Sequence, residues 1–106
     1  MRILVDTDVL LDVMLERPDF YEDARLIWEK HQEGKISIHV AAITPLNIFY
    51  VARKLKDRET ALESLKTIVA NVNICPVDES ILTRAIALGW NDVEDAVQVA
   101  CALREN

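Results

Sequence analysis

Glycine and proline are scarce in this 106-residue chain, with two and three residues respectively, which leaves little room for long irregular loops. Long apolar runs are missing too. None approaches the roughly 20 residues that a membrane-spanning helix needs, so no membrane association is expected. Met1-Arg2 leads straight into Ile3-Leu4-Val5 and then Asp6, an apolar stretch too short for a secretory signal. A cytoplasmic location is therefore expected. Cysteine is limited to Cys75 and Cys101, without metal-ligand spacing, and both are expected to be reduced core thiols. An excess of basic charge is absent as well: the net charge of −6 speaks against binding nucleic acid through a broadly basic surface. It leaves room for a carboxylate cluster that takes compensating charge from bound metal.

What is present is ordinary globular composition, 51% hydrophobic and 28% charged, at a length that suits one domain with a single core. Ile3-Leu4-Val5 reads as a buried parallel strand ending at Asp6. Thr7-Asp8 then caps a helix that buries Val9, Leu10, Val13 and Met14 and stops at Arg17-Pro18. A second helix starts near Asp19, burying Phe20, Ala24, Ile27 and Trp28, with Gly34 just past its end. A strand over Ile36 to Val40 leads to Thr44-Pro45, a helix start with Thr44 as N-cap and Pro45 at the first helical position. After that helix ends near Leu55, Ala61, Leu62, Leu65, Ile68 and Val69 form a buried helical stripe. A third strand spans Val72 to Cys75. Asp78 caps a helix with Ile81, Leu82, Ala85 and Ile86 that Gly89 ends. The last helix opens at Asn91-Asp92, buries Val93, Ala96, Val97 and Ala100, and runs to Asn106 with no strand for it to lead into. Strands alternating with helices predict an α/β fold, three-layered, with a central parallel sheet flanked by helices.

Acids fall where such a fold concentrates its chemistry. Asp6 follows an apolar strand, and ligands of open α/β sheets bind at the carboxyl ends of strands. A capping role competes with that reading, although Thr7 or Asp8 could cap equally well. Asp92 and Asp95 stand three apart, on one face of a first helical turn, while Glu94 points away from Asp92. That pair also looks like a capping box. Asp6 and Asp95 meeting at one strand edge would suit Mg²⁺ or Mn²⁺, hard cations held by one or two carboxylates plus water. Asn47, about one turn into the helix that begins at Thr44, either reaches back to the cap or holds a metal-bound water or phosphate. His31, on an outer helix, and His39, inside a strand, are read as structural or solvent-facing.

The motif Val5-Asp6-Thr7-Asp8-Val9-Leu10-Leu11-Asp12 resembles the opening motif of the PIN domain family, found in VapC-type toxins of toxin–antitoxin pairs. Ala42-Ile43-Thr44-Pro45-Leu46-Asn47-Ile48-Phe49-Tyr50 resembles the second motif of that family, and Asn91-Asp92-Val93-Glu94-Asp95-Ala96-Val97-Gln98 the third. The resemblance covers essentially the whole chain. It implies a Mg²⁺- or Mn²⁺-dependent endoribonuclease acting on RNA, an antitoxin protein as partner, and homo-oligomers. By position Asp6 and Asp95 correspond to the first and third acids of the family's quartet, with Asp92 or Glu94 supplementing Asp95. Asn47 stands where many members carry the second acid and matches a subgroup with Thr-x-x-Asn. Most members also continue into a strand, a Thr-Arg-Asn-like turn with a fourth acid, and a final strand, so a sheet short of its C-terminal strands is expected here.

Two other enzyme and signalling classes share part of this pattern. Asp6-Thr7-Asp8 brings to mind phosphatases with an Asp nucleophile, but their downstream Ser or Thr, Lys and late Gly-Asp motif are not found. A receiver domain would need an Asp after a mid-chain strand, where this sequence reads as helix. The stronger competitor is a catalytically inactive PIN-like domain that acts as an oligomerising or protein-binding module.

Overall fold

The computed structural model describes residues 1–18 and 21–105. The element order is β1 (Arg2–Leu4), α1 (Thr7–Met14), α2 (Tyr21–Gln32), β2 (Ser37–Ala41), α3 (Ile43–Leu55), α4 (Arg58–Asn71), β3 (Asn73–Cys75), α5 (Glu79–Leu88) and α6 (Val93–Glu105). The three strands form one parallel sheet in the order β1-β2-β3. Leu4 lies opposite His39, and Val40 opposite Ile74. Two further bonds prolong the ladder past the strand ends. The Val5 amide donates to the His39 carbonyl at 3.2 Å, and the Ala42 amide to that of Cys75 at 3.0 Å.

The two-residue period of β2 sorts the core into two layers. Ile38 and Val40 face one side, where they pack with Val5 just past β1 and with Leu10, Leu11, Trp28, Ile48 and Ile68 from α1, α2, α3 and α4. Ala41 faces the other side with Cys75, Ile81, Ala85, Ala96 and Cys101. That second layer is built of small side chains, which lets α6 lie directly against β2. The three-layer α/β arrangement with helices on both faces is thus the one the alternation of strands and helices predicts. Each large, fully buried side chain such as Ile48 contributes about 1.5–3 kcal/mol relative to exposure.

Helix ends follow local chemistry. The Asp57 carboxylate accepts from the Thr60 amide at 2.7 Å, and that of Asp78 from the Ile81 amide at 3.0 Å. Gly89, at φ 67°, ends α5 in the left-handed conformation that lacks a Cβ penalty. Both cysteines are free and buried. His31 is a tie between elements: Nδ1 accepts from the Ile38 amide at 3.0 Å, leaving Nε2–H to face the Asn71 carbonyl. His39 Nε2 meets the Ser37 hydroxyl at 3.1 Å.

Several expectations need correction. Thr44 is not an N-cap, because α3 begins two residues earlier than expected, at Ile43, with Ala42 in helical geometry at the cap position and no side-chain cap. The helix can start so soon because the Ala42 amide is already spent on the Cys75 carbonyl. Pro45 then stands at the third helical position, where its missing N–H is still one of the amides without an intrahelical partner. α1 is capped by Asp6 rather than by Thr7 or Asp8. Val69, Leu82, Ile86 and Val93, expected in buried stripes, are exposed. Their helices pack through narrower faces, centred on Ala61, Ile68, Ala85 and Ala96. The expected helix start at Asp19, the burial of Phe20 and a last helix reaching Asn106 lie outside the described residues.

Candidate active site

Asp6 leaves β1 in extended geometry (φ −89°, ψ 175°), the conformation an N-cap requires. One of its oxygens, Oδ1, accepts from the Val9 amide at 3.1 Å. Asp6 is therefore both the cap of α1 and an exposed carboxylate at the carboxyl end of the first strand. Asp8 is turned to a different task, lying 3.6 Å from Arg17. The same guanidinium donates from Nε to the buried Asp12 at 2.9 Å. Those two acids brace the end of α1.

The second contribution comes from the start of α6. Asp92 Oδ1 accepts from the Asp95 amide at 3.1 Å, which is the capping half of the pair. Asp95 itself carries the clearest electrostatic signature of the edge. The charge of Asp92 first, then lost hydration, a hydrogen bond with Asp92, and the charges of Asp6 and Glu94 hold its pKa above the ordinary carboxylate value. The charge of Asp6, 89 residues away by number, thus reaches Asp95, alongside those of Asp92 and Glu94.

Glu94 is the residue the sequence left at the margin. Its direction, away from Asp92, carries it to α3, where Oε1 accepts from Asn47 Nδ2 at 2.5 Å. Asn47 therefore neither reaches back to its own cap nor stands alone: it links α3 to α6 beside the acids. One turn earlier on α3, the Thr44 hydroxyl is fully buried and has no hydrogen-bond partner among the described residues. A buried polar group of this kind carries a cost, and its lack of a partner depends on tertiary packing that the sequence does not show. Among the described residues no three His, Cys, Asp or Glu side chains converge tightly enough to hold a metal ion. The cavity lined by Leu4, His39, Cys75 and Cys101 includes none of the acids.

The fold is thus a short parallel α/β sheet with Asp6 just past its first strand and Asp92, Glu94 and Asp95 at the start of its last helix. The chain matches the PIN domain family over residues 2–106, and it belongs to that family. No curated protein matches the sequence. Among solved structures, a chain in the crystal structure of VapBC2 from Rickettsia felis, bound to a DNA fragment from their promoter, shares the fold with a TM-score of 0.70. That likeness covers 100% of this chain and 83% of the other at 16% identity. Among the described residues no helix is long and apolar enough to cross a membrane.

Proposed function

We propose that residues 1–106 act as a single PIN-like domain whose acidic edge, Asp6, Asp92, Glu94 and Asp95, hydrolyses RNA phosphodiester bonds as a divalent-metal-dependent endoribonuclease of the VapC toxin type. The observation that carries this reading is the placement of acids from two distant segments, Asp6 at the carboxyl end of β1 and Asp92, Glu94 and Asp95 at the start of α6, which the Asn47–Glu94 bond ties to α3. Carboxylates gathered near one strand end form a place that a divalent cation would favour.

The residues present fit Mg²⁺ or Mn²⁺. Hard oxygen donors suit both, and one or two protein carboxylates suffice when water and substrate phosphate complete the shell. That requirement is compatible with the lack of a three-ligand cluster among the described residues. Asp6 and Asp95 are the residues that would hold the cation, with Asp92 beside them. When bound, it supplies a water of lowered pKa and withdraws charge from the scissile phosphate. The chain's own part is positioning. The capping bond from the Val9 amide fixes the orientation of Asp6, and the capping bond to Asp92 fixes the first turn that carries Asp95. Asn47 holds Glu94 to the side, so that its charge adds to the field of Asp95.

The partners expected of such a protein are an antitoxin protein and further copies of itself, in the cytoplasm. The two-component VapBC2 complex supports an antitoxin-type partner. A second reading, an inactive PIN-like module that binds protein, draws on the exposed Leu82 and Ile86 of α5, the latter 74% accessible. Cleavage of a structured RNA with Mn²⁺ separates the two. The nuclease reading expects cutting by the native chain and none by Asp6→Asn or Asp95→Asn, with Mn²⁺ binding visible by calorimetry. A native chain that neither cuts nor binds Mn²⁺ sinks it and leaves the binding module.

A further inference from the structure

We infer that the outer face of α3, from Asn47 through Tyr50 to Arg53 and Lys54, is the track on which a single-stranded segment of RNA lies as it enters the acidic edge; the identity of its ligand rests on the nuclease reading above. Positions 46, 47, 50, 53 and 54 follow the spacing i, i+1, i+4, i+7, i+8, so they share one side of the helix. Such a stripe ordinarily faces a core. Here the opposite side, with Thr44, Ile48 and Ala52, is the buried one, and Leu46 and Tyr50 are 54% and 62% exposed. One end of the stripe is Asn47, bonded to Glu94 at the site. The other end, about 10 Å along the axis at a 1.5 Å rise per residue, is cationic.

The cations continue past the helix. Arg53, Lys54, Lys56 and Arg58 are four of the chain's twelve lysines and arginines, gathered within six residues of an otherwise acidic protein. All four are exposed, and none forms an ion pair among the described residues. Asp57 between them is engaged in capping α4 through the Thr60 amide. Helix stability accounts for part of this arrangement, since Arg53 and Lys54 in the last turn of α3 suit its dipole. It does not account for Arg58, the first residue of α4, where a positive charge opposes the dipole. A run of unpaired cations beside an exposed aromatic ring is the combination that holds single strands: phosphates lie on the cations and bases stack on the ring. Sequence-independent attraction of this kind also answers a difficulty of the site. Four carboxylates repel a polyanion, and anchors placed about two turns away bring it in against that repulsion.

Fluorescence anisotropy of an end-labelled single-stranded RNA, in EDTA so that nothing is cut, tests the track. Tyr50→Ala is expected to weaken binding about tenfold, the loss that accompanies removal of one base stack. Arg53→Ala with Lys54→Ala is expected to reduce the slope of log K against log salt by about 1.4, at 0.7 per lost phosphate contact. These side chains are exposed, and circular dichroism confirms that each variant is folded. A native chain that does not bind the RNA, or a double variant with an unchanged slope, overturns the inference. So does a tyrosine variant that binds RNA normally but dissociates a dimer by light scattering, because the face would then belong to a protein contact. Cleavage with Mn²⁺ is read on the same variants. Cutting that persists with an unchanged salt slope removes the track and spares the nuclease. A native chain that binds with the expected slope yet never cuts removes the nuclease and spares the track as an RNA-binding face.

Discussion

Replacing Thr44 with valine is expected to make the protein more stable. The hydroxyl is 0% exposed and lacks a partner among the described residues, so its hydration is lost on folding without replacement. A buried, unpaired polar group of this type costs about 1–3 kcal/mol. Valine keeps the branched shape at Cβ and substitutes a methyl for the hydroxyl, so neither cavity nor overpacking offsets the gain. For a chain of this length 1 kcal/mol moves the melting temperature by about 4–8 °C, which puts the expected rise at no less than about 4 °C. Thermal unfolding followed by circular dichroism measures it, with Thr44→Ser as control. Serine keeps the unpaired hydroxyl and loses a methyl, and is expected to destabilise by about 1 kcal/mol. A valine variant that melts lower than the native chain refutes the reasoning, since the hydroxyl would then be hydrogen-bonded in the folded protein. RNA cleavage by the same variant adds a second reading. Thr44 stands one turn before Asn47, and stability gained with activity lost would show that the hydroxyl is retained for the site.

Three further outcomes follow from contacts already described. Asp12→Ala leaves Arg17, among the described residues, with its longer ion pair to Asp8. The expected cost in urea unfolding is about 2 kcal/mol, below the 3–5 of a fully buried pair because Arg17 is partly exposed. Asn47→Ala removes the link to Glu94 and is expected to lower cleavage at least tenfold while shifting the melting temperature little, the bond being exposed. On the acid side, backbone hydrogen bonds with Ile81 and then Arg104 lower the pKa of Asp78, and the Thr60 amide lowers that of Asp57. Depressed carboxylates contribute stability that is present above their ordinary value of 3.8 and is lost as pH falls through their folded values. Melting temperature should therefore fall below that pH, and less steeply in Asp78→Asn; an unchanged acid limb in the variant contradicts the assignment.

Much of the architecture was legible because it rests on short-range signals. The apolar run ending at Asp6, the cap at Asp78 and the left-handed Gly89 each act within a few residues, and the structure has them where the sequence puts them. The boundary of α3 departs from its local signal for a non-local reason. Thr44-Pro45 carries the local chemistry of a helix start, but the amide of Ala42 is bound to Cys75 on another strand, and the helix begins ahead of the signal. Exposure departs from the helical stripes for a related reason. A helical stripe shows which residues share a face, while the breadth of the packed part depends on neighbours, so Ile86 and Val93 lie outside it. At the edge, Asp6, Asp92 and Asp95 were visible as acids after a strand and in a first turn. The bond between Asn47 and Glu94 was not, because it joins positions 47 residues apart.

The double duty of Asp6 bears on how loss of activity is to be interpreted. One carboxylate oxygen caps the start of α1; under the proposed function the other would serve the metal, so the residue would couple the order of a helix to the chemistry beside it. Asparagine can keep the first duty and surrender the second; alanine surrenders both. In a genetic screen for inactive alleles, substitutions at this codon would fall into two groups, folded proteins that accumulate and frayed ones that are degraded. Abundance, measured beside activity, would separate a silent site from a missing protein.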